Sequence, residues 1–249
     1  GLYGIDTREL TKTVREAGVM NASITSKPLK DLSLVKSYTI KNAVMSVTCE
    51  DVTYSGNPNG TKVVVWDFGA KKNITRELVN RGCYCINVPA HYTAEQILAL
   101  NPQGLMLTNG PGDPSENIEI IANLKKLAGK LPIFGICLGH QLFSLAMGGK
   151  TRKMKYGHRG ANQPVKDIAT GKIYITSQNH GYEVISSSLE GAGELSYVNV
   201  NDNTCEGFNY PELNAFTIQF HPEFCAGPQD AAFLFNKFMV NIKEGKFNA

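Results

Sequence analysis

Val63-Val-Val-Trp66 carries no polar residue on either face of a strand. A strand wetted on one side alternates apolar with polar, so an unbroken run predicts a strand covered on both faces, as in parallel sheets. Helix and strand signals alternate behind it. Lys71 to Arg81 reads as a helix ended by Gly82, and Tyr84 to Val88 as a strand. Thr93 caps a helix to Leu100, with Gln96 at the capping-box position. Gly104 to Thr108 is a third strand, followed by the loop Asn109-Gly-Pro-Gly-Asp-Pro114 and a helix from about Asn117 to Ala128. Ile133 to Ile136, led by Pro132, is a fourth strand. Such a series predicts an α/β fold, an open, mostly parallel, doubly wound sheet with right-handed crossovers. Sheets of this kind hold ligands beyond the carboxyl ends of their strands. From Val165 on, shorter and more varied strands are expected, ending in Ala215 to Phe220 and a helix from about Asp230 to Ile242.

The fourth strand runs into Gly135-Ile-Cys-Leu-Gly139, and Leu138 to Met147 follows helical spacing. Strand, sharp turn and helix around Gly-x-nucleophile-x-Gly form an elbow in which the glycines let backbones approach closely. A thiol there meets a helix N-terminus, whose dipole and free N–H groups favour the thiolate. Cys137 is therefore the candidate nucleophile. A base is sought among His91, His140, His158, His180 and His221. His140 follows the elbow by three residues and is expected to face away from the mouth of the site; His91 falls in a connecting loop, and His158 reads as a solvated loop residue. His221 ends the last strand, and Glu223 two residues on can orient its ring, the base-plus-orienter arrangement of a triad.

The six cysteines (Cys49, Cys83, Cys85, Cys137, Cys205, Cys225) show no framework spacing, which favours a reducing compartment. Cys83 and Cys85 lack the two-residue gap of a redox or zinc pair and read as structural. A net charge of +3 without a basic block argues against nucleic acid. No stretch approaches the ~20 apolar residues of a membrane span. Before the alternating region, Ile5-Asp-Thr-Arg-Glu-Leu10 opens a helix that stops at Gly18, Met20 to Thr25 and Ala43 to Cys49 alternate like strands, and Asp31 to Ile40 is a short helix or turn. Turn chemistry from Tyr54 to Gly60 marks a domain boundary. An opening at Gly1, in mid-pattern, suggests a piece of a longer chain.

Nucleophile, then His, then Glu with the last two nearly adjacent is the order of the triad class I glutamine amidotransferases, whose nucleophile motif Phe134-Gly-Ile-Cys-Leu-Gly-His-Gln141 resembles. Within that group the chain resembles the small, glutamine-hydrolysing subunits of carbamoyl phosphate synthetases. The match is carried by Gly4 to Arg8, Asn109 to Pro114, Lys155 to Val165 and Ser177 to Tyr182, and extends to about Ile242. The resemblance implies a class I amidotransferase fold over 61–243, a truncated remnant of a small N-terminal domain over 1–55, and a tail or linker over 244–249. It implies a glutaminase with Cys137 as nucleophile, His221 as acid/base and Glu223 as the residue orienting it. Leu138 and Gly110 would offer N–H groups to the oxyanion, and Gly112, Gln141, Asn179, Gly181 and Tyr182 would contact glutamine. In the family a serine from an earlier segment also touches glutamine. Ammonia would pass to a synthetase subunit or fused domain, which holds the ATP and Mg²⁺; this chain would hold no cofactor or metal. The setting implied is the cytoplasm, with the mitochondrion left open, and neither nucleic acid nor membrane is a partner. Alternatives are the glutaminase of another triad amidotransferase, such as an anthranilate- or GMP-forming one, or a non-catalytic regulatory module.

Overall fold

The computed structural model describes residues 1, 3–224 and 227–248, so Cys225 lies outside the described residues. In chain order the elements are α1 (Thr7–Ala17), α2 (Ser33–Lys36), β1 (Thr53–Ser55), β2 (Thr61–Asp67), α3 (Lys72–Asn80), β3 (Cys83–Pro89), α4 (Ala94–Ala99) and β4 (Gly104–Leu107). There follow α5 (Ile118–Leu127), β5 (Ile133–Ile136), α6 (Leu138–Ala146), β6 (Lys150–Asp167), β7 (Ile173–Ile185), β8 (Glu194–Asn199), β9 (Cys205–Tyr210), β10 (Ala215–Ile218) and α7 (Phe233–Glu244). All ten strands form one sheet in the order β1-β3-β2-β4-β5-β10-β9-β8-β6-β7. The run β3-β2-β4-β5-β10 is parallel throughout. Antiparallel strands extend it on both sides.

The unbroken apolar strand behaves as its composition requires. Val64 and Trp66 of β2 enter one core layer, while Val63 and Val65 enter the other. On the second face Phe134 of β5 stacks on Phe216 of β10 with centroids 4.4 Å apart, under Phe235 and Phe238 of α7. Cys83 and Cys85 are both buried in this same layer, and burial pushes their thiols up to about 11 and about 12, which keeps them unreactive.

Three expectations are corrected. Residues 150–167 form a long strand of a hairpin with β7, and not a loop leading into short strands. Its residues are mostly exposed and polar, so no apolar alternation announces it. Residues 43–49 form turns; Val44 alone plugs the first core layer, and Thr48 and Cys49 bond to Asp67. Residues 20–25 are irregular. The first helix starts as anticipated, Asp6 accepting from the Glu9 N–H at 2.9 Å, yet none of its side chains is buried. Residues 43–55 pack on the sheet, with β1 pairing antiparallel to β3 across the expected boundary.

Candidate active site

The elbow is built by close packing. A Cβ on Gly135 would come within 2.8 Å of Thr217 Cγ2, and one on Gly139 within 2.5 Å of the Leu107 carbonyl. Only glycine lets β5 and α6 sit this near β10 and β4. Between them Cys137 has φ 54° and ψ −101°, a conformation that costs a non-glycine residue about 1–3 kcal/mol. The neighbours hold it there: Cys137 N donates to Ile218 O at 2.8 Å, Gly139 N to Thr108 O at 3.0 Å, and Gln141 N to Cys137 O at 3.2 Å. The result is a sulfur at the first turn of α6, beyond the carboxyl ends of the parallel strands.

His221 arrives from β10, the strand beside β5, and its N–H is tied to Ser177 O at 2.9 Å. Its Nδ1 lies 2.7 Å from Glu223 Oε1, leaving Nε2 to face the Cys137 thiol. Extended backbone is not what joins the two: β10 ends at Ile218, and residues 222–223 form a turn. Burial opposes a charge on His221, but Cys137 and Glu223 outweigh it and raise its pKa to about 9. Burial likewise opposes the Glu223 carboxylate, yet the His221 bond and the Lys71 charge hold it below its ordinary value. Lys71 Nζ stands 3.3 Å from Glu223 Oε1, and Asn73 Nδ2 donates to the Glu223 carbonyl. Sequence reasoning missed both; their position just past β2, at a strand's carboxyl end, was the available signal.

Two cavities share Gly110, Cys137 and Asn179 in their walls. One, of about 440 Å³, holds Cys137, His221 and Lys71. The other, of about 120 Å³, is lined by Gly110, Gly112, Cys137, Gln141, Asn179, Gly181 and Tyr182, together with Arg159 and His180. Arg159 and His180 apart, these are residues that the resemblance named; of the glutamine-contacting residues it named, Leu138 is outside the lining, buried as the first residue of α6 with its N–H among the donors the helix leaves unpaired. Gly110 tolerates no side chain, since its Cβ would lie 2.3 Å from Phe68 O and 2.6 Å from Leu138 Cδ2. Gly112 sits at φ 92°, where a side chain is strained. Gln141 is fixed by two bonds from Nε2, to Tyr182 O and Gln219 Oε1, both 2.9 Å. Burial and the nearby Asp113 carboxylate push the Tyr182 hydroxyl up to about 12. A larger cavity of about 680 Å³ between residues 42–45 and α5 contains neither Cys137 nor His221, so its size does not make it the reaction site.

The other histidines have different places. His140 is buried and neutral, its pKa pushed down to about 3 by burial, with Nδ1 2.7 Å from Thr217 Oγ1. His91 is exposed in a turn. His158 is no solvated loop residue: it is buried in β6, with Nδ1 3.2 Å from Glu206 and Nε2 2.8 Å from Asp202. Burial opposes its charge, but the two carboxylates raise it to about 9. Glu206 also accepts from Asn199 at 3.2 Å and Gln178 at 2.9 Å, and Gln178 Oε1 reaches His180 Nε2 at 2.9 Å. His158, His180 and Glu206 come within 4.8 Å of one another, a spacing that could hold a metal. Every ligand atom is already engaged by a donor or acceptor, so the cluster reads as a hydrogen-bonded network that braces β7 behind Asn179 and Gly181.

Residues 64–241 match the family described as glutamine amidotransferase class-I. The carbamoyl phosphate synthase small chain of Bacillus anthracis is 48% identical over 250 residues, a span that takes in 99% of this chain and 68% of that one. The carbamoyl phosphate synthase pyrimidine-specific small chain of Bacillus subtilis (strain 168) is 47% identical over 255 residues, covering 99% and 69%. Among solved structures, one assigned as a GMP synthase component from Thermoplasma acidophilum superposes with a TM-score of 0.65 at 22% identity, over 76% of this chain and 97% of that one; it shares the fold. The chain belongs to the glutamine amidotransferase class-I family, among the carbamoyl phosphate synthase small chains.

Proposed function

We propose that this chain hydrolyses the side-chain amide of glutamine and passes the ammonia to a synthetase partner that makes carbamoyl phosphate. The observation that carries the reading is a thiol forced to φ 54° at the top of a parallel sheet, beside an imidazole bonded at 2.7 Å to a buried carboxylate.

The sulfur of Cys137, its proton held by His221, attacks the amide carbon, and the carbonyl pair moves onto oxygen. The N–H groups of Leu138 and Gly110 are the candidate donors to that oxyanion. His221 returns the proton to nitrogen as the C–N bond breaks, ammonia leaves, and a thioester remains on Cys137. Water then gives a proton to His221 and attacks the thioester carbon, and cleavage of the C–S bond releases glutamate. Glu223 holds the ring in one tautomer and balances its charge; it takes no proton. Gln141, Asn179, Gly181 and Tyr182 shape the pocket in which the side chain of glutamine lies.

Hydrolysis by this route draws on side chains, two backbone N–H groups and water. The sequence holds no G-x-x-x-x-G-K-[ST] loop, which supports placing ATP and Mg²⁺ on the partner. Five described cysteines are free, which supports a reducing, cytoplasmic setting, and no helix among the described residues is long and apolar enough to cross a membrane. We assign 61–243 to the amidotransferase unit, whose sheet residues 53–55 join as an added strand, and 244–249 to a tail. The test is ammonia release from glutamine with and without Cys137→Ser. Release abolished by the change is expected; equal release from both would end the thiol mechanism.

A further inference from the structure

Arg159 has no role in the scheme above, yet it closes one side of the 120 Å³ cavity that contains Cys137, Gln141, Asn179, Gly181 and Tyr182. It lies in β6 between two register breaks, at Lys153/His158 and Gly160/Gln163, and pairs directly with Asn179 of β7. Directly paired residues project from the same face of a sheet, and bulges on either side re-aim the side chain between them. Its Nη2 lies 3.6 Å from where a Cβ of Gly181 would stand, and Nη1 donates to the Tyr156 carbonyl. The guanidinium is thus laid over the Gly181 backbone at the cavity edge. Among the described residues no carboxylate lies within ion-pair distance of it. It is also the one permanently cationic side chain in that lining, since burial keeps His180 neutral with its pKa pushed down to about 3.

A small cavity lined by a nucleophile and by a planar cation with no carboxylate partner suits a substrate that carries an anion a few bonds from its reacting carbon. Free glutamine is such a molecule: its amide belongs at Cys137, and its α-carboxylate matches a bidentate guanidinium fork. We propose that Arg159 receives the α-carboxylate of the substrate and so selects the free amino acid over glutamine within a peptide. This rests on the glutamine reading above and adds the group that recognises the far end of the molecule.

The test compares two reagents that modify Cys137, read by mass spectrometry on the intact chain. One is 6-diazo-5-oxo-L-norleucine, shaped like glutamine and bearing its α-carboxylate; the other is iodoacetamide, which has none. In Arg159→Met the first should label Cys137 roughly 10- to 100-fold more slowly, the range expected on losing a hydrogen bond to a charged group. Labelling by iodoacetamide should stay unchanged, which also reports that the elbow is folded, and Arg159→Lys should recover part of the lost rate. In the same variant KM for glutamine should rise by a similar factor with little change in kcat. Equal slowing of both reagents, or slowing of neither, would overturn the assignment while leaving the glutaminase reading intact. If the unaltered chain takes iodoacetamide at Cys137 but not the glutamine-shaped reagent, the glutamine reading itself fails.

Discussion

Replacing Glu223 by glutamine removes a charge while keeping an oxygen for His221 Nδ1–H, and so isolates what the carboxylate does. In the protein His221 is raised to about 9 because Cys137 and Glu223 outweigh burial. The protonated imidazole beside Cys137 should be lost as pH rises through that value, which puts the falling limb of kcat/KM near pH 9 in the unaltered chain. Without the Glu223 charge, burial regains ground and the limb should move to lower pH, toward the ordinary histidine value of 6.5. A hydrogen bond to a charged group is worth about 1.5–3 kcal/mol and a neutral one about 0.5–1.5, so losing the charge alone, roughly 1–1.5 kcal/mol, should lower kcat at neutral pH about 5- to 13-fold. His221→Ala, which removes the proton carrier, should cost more. The assay is ammonia release from glutamine across pH 6 to 10 for the three proteins. A limb that stays in place in Glu223→Gln, or a loss as deep as that of His221→Ala, would refute the reasoning.

Lys71 stands 40% exposed beside Glu223, so solvent screens the pair; Lys71→Met should cost no more than about 1 kcal/mol in stability by thermal melting and leave most of the glutaminase rate. Gly139→Ala places a methyl 2.5 Å from the Leu107 carbonyl and should destabilise the chain by about 1–3 kcal/mol in urea unfolding, with loss of activity as the elbow opens. Glu206→Ala strands His158 with one carboxylate and leaves Asn199 and Gln178 without their acceptor; about 3–5 kcal/mol should be lost in the same assay. His158 also sets a pH signature. Its folded pKa, about 9, lies above the ordinary 6.5, so its contribution is full below 6.5 and fades as pH rises through 9. The decline in stability between those values should shrink in His158→Asn.

The parallel centre of the sheet was legible because a strand covered on both faces has to be apolar throughout, and Val63 to Trp66 is. The hairpin of β6 and β7 was not. Its residues pair mainly with each other, β6 is mostly exposed, and what β7 buries is largely polar (Thr176, Ser177, Gln178, His180, Glu183), so backbone and side-chain hydrogen bonds hold it without any apolar period. Ala43 to Cys49 misled in the opposite sense. Its alternation matches a strand, but the core takes only the adjacent Ala43 and Val44 from it, and the remainder turns to reach Asp67.

The nucleophile's place was written in consecutive residues. Gly135 and Gly139 flank Cys137 within one strand-to-helix turn, and the steric need for glycine at both is local enough to read from letters. The His221 and Glu223 pairing was readable as well, since two residues separate so little backbone that almost any turn brings their side chains together. What surrounds them came only with the fold. Lys71 and Asn73 meet Glu223 across some 150 residues of chain, and Arg159 reaches the cavity because two bulges aim it there. Local sequence decides conformations that sterics enforce over a few bonds. Contacts between distant segments depend on how the whole sheet closes, and no short pattern encodes that.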